Sequence, residues 1–506
     1  MRVVTTPLAA SVPMPTPRPC PCPQPLLDAV VGPDGVAGPI ARLREPGTLV
    51  VTTGQQPGLF TGPLYTVFKA LSAAALARRL EREWQQPVVP VFWLATDDHD
   101  FAEANHAAWL TGDGALRHHV LRERAADAPL TPMYREPLGP DVVTALDLLR
   151  ADLEGASGRD DVLAWLERHY RPDATVGDAY AGALAELLAP HGVVCVDASR
   201  RALKAEAAPL LLRALASHEA MAGPLAALAA ELAARRADPG VAVGDGATLV
   251  FVEGPQGRDR LVRSGDGFVA RRGGERYAFA ELARIAAETP ERLSPNVLLR
   301  PVVESAILPT VAYVAGPGEL RYLALTPPVY EALGVPRQRP VPRWSGFVVE
   351  PRVDRVLGKF DLALDDLLAE GAAERRIVRD QLPDAVTAPL GRLRATLELD
   401  YEALAAAAAA IDPTLEKSVQ GTSTQALKGL EDAEKKIVAN LKRRRETELQ
   451  QVARARAAVR PDGKPQERVL TVASLLARLG PAMLDAVAAE IDGWYGAALE
   501  APTAVS

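Results

Sequence analysis

The sequence predicts an α/β protein: a nucleotide-type parallel-sheet core interrupted by insertions, followed by a long helical, coiled-coil-like segment. Three observations carry that prediction. Two apolar runs, Leu49-Val50-Val51 and Val88-Val89-Pro90-Val91-Phe92-Trp93-Leu94, have the two-faced burial of parallel strands and flank a helix-periodic stretch. Polar residues follow both runs, in a glycine-rich turn after the first, at the strand ends where open α/β sheets bind ligands. From about residue 354 to 459, alanine, leucine and charge dominate with helical periodicity.

Composition bounds the function. With 506 residues the chain has room for two or three cores. A content of 48% hydrophobic and 24% charged residues places it among ordinary globular proteins. The net charge of -7 offers no global basic field, so nucleic acid is not an expected partner. Three cysteines build no disulfide framework and fit a reducing compartment. Cys20-Pro-Cys22 has the form of a metal or redox pair, but the surrounding proline-rich arm supplies no further ligand. Neither a charged-then-apolar leader nor an apolar run of about 18 residues occurs, so a soluble, cytoplasmic protein without a membrane partner is expected.

Taken in order, residues 1–45 read as a proline-rich N-terminal arm, extended over the surface. Residues 46–110 hold the first part of the core. There the turn from Thr53 carries Gly54, Gly58 and Gly62, Pro63 suits a first helical turn, and Thr61 or Gly62 is the expected cap. Leu64, Val67, Phe68, Leu71 and Ala75 give the following helix a buried face. Residues 111–185 read as a mostly helical insertion. Residues 186–238 return to the core with a strand over His191–Asp197 and a helix from about Arg200 to Ala237. Alternating runs at Thr248–Val252 and Gly267–Ala270 make 239–292 a small β insertion.

The core resumes over 293–353, with Asn296–Arg300 as one buried strand and Thr310–Val314 as another, which runs into the tight turn Ala315–Glu319 and a new helix. Residues 354–460 form the helical coiled-coil domain. Asp412-Pro413 pairs a cap with a first-turn proline. Leu427, Leu430, Ile437 and Leu441 make a heptad-like seam interrupted by Glu434 and Arg444, and such a helix needs a partner face from 384–411 or from another subunit. Residues 461–506 read as C-terminal helices packing back on the core.

Three clusters could carry chemistry. The Thr53–Pro63 turn lacks the Lys-Ser/Thr of a Walker loop and is not GxGxxG. Its glycines permit close backbone approach, the helix start favours an anion, and Gln55 and Gln56 suit carboxylate, hydroxyl or amide recognition; a purely structural turn is the alternative. Asp97-Asp98-His99-Asp100, with Asn105 and His106, reads as a base held by carboxylates, a divalent-cation site, or helix capping with His99 and His106 on one face. Arg300 suits a carboxylate substrate, with Glu304 equally placed as a structural partner; it joins the turn Gly316-Pro-Gly318-Glu319. Lys69 and Arg321 read as candidates for anion contacts or as helix-surface charges, Tyr65 and Tyr313 as packing residues with a polar tip, and Lys442–Arg445 as a solvated face or a site for an anion or nucleotide phosphate at a subunit junction. The residues alone reach a nucleotide-type α/β enzyme. The competing readings are a metal-dependent hydrolase or nucleotidyl transferase using Asp97–His106, and a coiled-coil assembly protein.

Four motifs narrow this. TGQQPGLFTGPLYT, FWLATDDHDFAEANH, LLRPVVESAILPTVAYVAGPGE and IDPTLEKS resemble, in this order over roughly 50–480, the bacillithiol-synthesis cysteine-adding enzyme family (BshC). The resemblance implies a Rossmann-like core with connecting-peptide insertions, an α-helical coiled coil and a homodimer formed through it. It also implies a ligase joining the carboxyl of L-cysteine to the amine of glucosaminyl malate to give the low-molecular-weight thiol bacillithiol. By matching motif, Gly54, Gln55, Gln56, Thr61 and Gly62 would line the pocket with Asp98, His99, Asp100, Asn105 and His106, and Arg300, Gly316, Gly318 and Glu319 would complete it. Glu304-Ser305 stands where the family pattern has Gln-Glu or Gln-Asp, so no role is carried to position 304. A free carboxylate and an amine do not condense usefully in water, so ATP or another nucleotide is the expected activating donor, with Gly54–Gly62 its candidate seat. No metal is assigned. His99, between Asp98 and Asp100, is expected to deprotonate the amine while first-loop donors stabilise the oxyanion.

Overall fold

Six short apolar runs build the central sheet of the computed structural model, which describes residues 1–18, 24–32, 36–241, 246–379, 384–444 and 446–500. Cys20-Pro-Cys22 and Arg445 lie outside the described residues, as do the side chains of Leu441, Lys442 and Arg444. The strands are β1 (Val30–Val31), β2 (Leu49–Gln55), β3 (Val88–Leu94), β4 (Val194–Asp197), β5 (Thr310–Ala315) and β6 (Arg339–Pro342). Their order across the sheet is β6-β5-β2-β3-β4-β1, and all pairs are parallel except β4 with β1. β3 and β4 therefore step away from β2 on one side, while β5 and β6 return on the other. That reversal between β2 and β5 is the switch point at which doubly wound sheets open a crevice.

Burial explains the strands. β2 is buried at six of its seven positions and β5 and β4 at all, so apolar side chains are needed on both faces. Val50, Val91, Trp93, Val194 and Val196 share a core with Leu203 and Leu211 of α2 (Arg201–Ala216). α1 (Tyr65–Trp84) makes the β2-to-β3 crossover and packs against both strands. Gly54 is required by the sheet itself: a Cβ there would sit 2.7 Å from the Trp93 carbonyl oxygen on the paired strand.

Three local expectations change. α1 begins at Tyr65, not Pro63, because Phe60, Thr61 and Gly62 all take positive φ and coil the chain back before the helix starts. Asn296–Leu299 is a turn, not a strand, and Arg300 already belongs to α3 (Arg300–Ile307), which the Asn296 side chain launches by accepting from the Leu298 and Leu299 N–H groups. The single helix expected over 200–237 is two, α2 and His218–Ala234, parted at Ser217.

The first compact unit comprises Met1–Val348 and Lys464–Ser506. Within it, a five-stranded antiparallel sheet over Ala247–Pro295 forms the β insertion, and the helices Asp141–Asp152, Arg159–His169 and Val176–Leu188 follow a hairpin of His106–Leu110 with Leu116–Val120. The N-terminal segment is tied down: the Trp344 indole donates to Thr5 Oγ1 (3.0 Å), and Val12 N–H to the Ala498 carbonyl (2.8 Å). α4 (Pro317–Leu323) starts directly after β5. The Lys464–Ser506 segment is anchored by a buried Arg343–Glu467 pair and by α7 (Ala482–Ala498), which packs on α1. No single described helix is long and apolar enough to cross a membrane.

The second unit, Val349–Gly463, is helical. Its longest elements are α5 (Asp384–Ile411) and α6 (Pro413–Arg444), which pack on each other. Asp412 caps α6, its Oδ1 accepting from the Thr414 N–H and hydroxyl at 2.8 Å each. Leu427, Leu430 and Ile437 are half-buried, as is Glu434. The seam tolerates Glu434 because Arg394 of α5 reaches it at 3.5 Å.

Candidate active site

The carboxyl ends of β2, β3, β4 and β5 bring Gln55, Leu94, Asp197 and Ala315 to one rim. Above it lies a cavity of about 430 Å³. The turn after β2 contributes Gly54, Gln55 and Gln56, and α1 contributes Tyr65 and Lys69. The loop after β3 supplies Asp97, Asp98 and His99, and α2 supplies Lys204. Phe251, Arg258 and Arg260 come from the β insertion, Arg300 from α3, and Gly316, Gly318, Glu319 and Tyr322 from the β5–α4 connection. Arg343 and Arg468 complete the wall.

Its floor is a network of ions. Lys69 is 1% exposed; its Nζ meets Glu319 Oε2 at 2.7 Å and Gln55 Oε1 at 3.2 Å, and donates to the Gly54 carbonyl. Burial pulls the Lys69 pKa down against the opposing pull of Glu319. For Glu319, burial pushes the pKa up, but Lys69, the Gly316 N–H (2.8 Å) and the Tyr313 hydroxyl (2.6 Å) outweigh it, so the carboxyl is held below its ordinary range. Glu319 is therefore a carboxylate, and it already fills the anion position at the start of α4. Arg300 donates to Glu304 (2.5 Å) and to the hydroxyls of Tyr313 and Tyr322 (3.0 Å each). Lys204 pairs with Asp97 at 2.5 Å.

Seven cationic side chains line the cavity against three carboxylates, Asp97, Asp98 and Glu319. Glu304 and Glu467 neutralise Arg300 and Arg343 from behind. Among the described residues Arg260 and Arg468 have no carboxylate partner, and burial with Arg271 and Arg258 nearby lowers the Arg260 pKa. The cavity therefore suits an anionic ligand.

Sequence reasoning placed Gly54, Gln55, Gln56, Asp98, His99, Arg300, Gly316, Gly318 and Glu319 together, and they do converge here. Five others do not line the cavity. Thr61 and Gly62 belong to the coil that packs on Tyr170, whose hydroxyl accepts from the Thr61 N–H at 2.7 Å. Asp100 caps the short helix Phe101–Ala104. Asn105 donates to the Arg122 carbonyl at 2.8 Å, and His106 is exposed at the start of a strand, not on a helix shared with His99. Lys69, an expected anion contact or surface charge, is buried and meets the Glu319 carboxylate. Lys204, Arg258, Arg260, Arg343 and Arg468 were missed. The alternation Arg258-x-Arg260 was the available signal, since it puts both on one face of a strand.

At the C-terminal end of the Gly54–Gly62 turn the donors facing the helix start are engaged: Thr61 N–H goes to Tyr170, Gly62 N–H to the Leu59 carbonyl (3.0 Å) and Leu64 N–H to the Leu470 carbonyl (2.8 Å), so these three do not serve a nucleotide's phosphates. A Cβ at Gly58 would lie 2.7 Å from Gly62 Cα, so these glycines let the turn close on itself, not on a ligand. The acidic cluster is likewise divided: Asp97 faces Lys204, Asp98 accepts from the His99 N–H (2.6 Å), and Asp100 caps. Among the described residues no three His, Cys, Asp or Glu side chains are grouped to hold a metal.

Comparison with known proteins decides the family. Residues 31–344 match the model of the bacillithiol biosynthesis BshC N-terminal Rossmann-like domain, and 346–494 that of the BshC C-terminal coiled-coil domain. The chain belongs to the BshC family. It is 30% identical to a protein of Prosthecochloris aestuarii over 89% of this chain and 82% of that one. Its identity is 32% to a protein of Salinibacter ruber (88% and 81% covered) and 33% to one of Koribacter versatilis (88% and 82%). Each carries the name "Putative cysteine ligase BshC". The cavity lies wholly within the segments of the first compact unit, and all its residues but Arg468 fall in the BshC Rossmann-like match.

Proposed function

We propose that this chain is a ligase that joins the carboxyl group of L-cysteine to the amine of glucosaminyl malate. The observation that carries the reading is the cation excess of the switch-point cavity. A malate moiety brings two carboxylates, and among the described residues Arg260 and Arg468 are the cavity cations without a carboxylate partner. Gln55 and Gln56 line the same cavity and suit the hydroxyls of a sugar. Family membership supports the cysteine half.

The residues present bind and orient the amine-bearing substrate, and holding two reactants in one enclosed space lowers the barrier to their union. Cysteine's carboxyl needs a leaving group to react with an amine in water. No step is derived through a nucleotide on Gly54–Gly62, where the Thr61 and Gly62 N–H groups are engaged. The test is incubation with L-cysteine, glucosaminyl malate and each nucleotide in turn, or none, with mass detection of the thiol. Product in at least one arm is expected, and that arm names the donor; no product in any arm overturns the reading.

The same proposal includes a homodimer in the cytoplasm. Leu393, Leu404 and Ile411 on α5 and Leu415 on α6 are exposed, and the first three are spaced eleven and seven apart, on one helical face.

A further inference from the structure

We propose that Arg258 is a positioning residue that holds His99 as the neutral Nε2–H tautomer, so that the imidazole offers the cavity a hydrogen-bond donor and not a base. The inference rests on the reading above that this cavity is the reaction centre, but its geometry does not. Arg258 is 8% exposed and is held on every side. Its Nε donates to Ser294 Oγ (2.8 Å), Nη2 to the Pro295 carbonyl (2.8 Å), and the guanidinium lies 4.1 Å from the centre of the Phe251 ring. The remaining nitrogen, Nη1, stands 3.0 Å from His99 Nδ1.

A guanidinium can only donate. His99 Nδ1 must therefore be the acceptor, without a proton, and a neutral ring then carries its hydrogen on Nε2. Imidazolium would set N–H against N–H across this contact. Asp98 does not relieve the conflict: its Oδ1 is 3.6 Å from Nδ1 and accepts instead from the N–H groups of His99 (2.6 Å) and Asp100 (3.3 Å).

The charges around the ring come from four places. Asp98 and Asp100 on its own loop favour protonation, whereas Arg258 from the β insertion and Arg124, which donates to the His99 carbonyl, oppose it. Phe251 closes one side with an apolar ring 5.8 Å away. Burial and Arg258 outweigh the two aspartates and lower the His99 pKa to about 4. A neutral donor in a partly dry cavity suits a carbonyl oxygen that gains negative charge as an amide forms. The deprotonating role expected of His99 is thereby replaced.

The test is a 15N NMR titration of the full chain with labelled histidine, the His99 signals being assigned by their loss in His99→Gln. The expected result is an acceptor-type Nδ1 and a protonated Nε2 from pH 8 down to roughly 5. In Arg258→Gln the His99 titration should rise by about one pH unit or more and both tautomers should be populated, with Arg258→Lys restoring the wild-type pattern. A wild-type His99 that is Nδ1-protonated, or is imidazolium at pH 6.5, overturns the proposal, and this needs no variant to fold. No substrate is present, so failure of the ligase reading, seen as absence of thiol product, is a separate result.

Discussion

Lys69 shows how much a single residue can depend on its surroundings. It sits on α1 four residues after Tyr65 and so on the same face, and positions 66–77 of that helix are all buried. A helix enclosed all round has no face for a free charge, so the ammonium must find carboxylate and carbonyl oxygens. Replacing Lys69 by Met strands Glu319, and unfolding by urea should show a loss of roughly 3–5 kcal/mol. Adding Glu319→Gln should restore at least about half of that loss if the stranded charge is its cause. His99 gives a second expectation. Its folded pKa lies below its unfolded value of 6.5, so between these values the unfolded chain binds more protons. Stability contributed by the neutral ring is thus complete above pH 6.5 and is lost as pH falls towards about 4, by up to ~3 kcal/mol. In His99→Gln that part of the pH dependence should vanish.

At the scale of elements, apolar runs and turn residues made the parallel strands β2, β3, β4 and β5 and the start of α6 legible, because burial on both faces and an Asp-Pro cap leave direct marks in sequence. What was not legible depended on tertiary context. The start of α1 moved because a 3-10 coil with positive φ at Phe60 and Thr61 has no residue signature beyond Gly62. Asn296–Arg300 reads as a strand because the turn there buries Leu298 and Leu299 and so is itself apolar. Gly54 was read as a place for a ligand, but its missing Cβ accommodates Trp93. Gly54→Ala should therefore lower stability by about 1–3 kcal/mol, measured by urea unfolding, whether or not substrate is bound. For the hairpin of α5 and α6, replacing Leu404 and Ile411 together with Asp should halve the mass measured by light scattering while the helical signal is retained. A wild-type chain that is monomeric at all concentrations would remove the dimer from the account.

For the whole molecule, the cavity is assembled from separate stretches of chain spread between Gly54 and Arg468. Sequence reasoning found the parts carried by β2, β3, α3 and β5, since these are short motifs at strand ends. The β insertion, α2 and the C-terminal segment supply Arg258, Arg260, Lys204 and Arg468, and no local pattern says that an insertion's strand folds over the rim of another sheet. Those unseen residues give the cavity its positive character. The most direct measurement is therefore the affinity of the full chain for glucosaminyl malate, by calorimetry, for wild type and for Arg260→Gln. The account predicts binding that weakens at least about tenfold in the variant and with rising salt, with folding unchanged. Equal affinity in the two chains, or no binding to wild type at all, would contradict it.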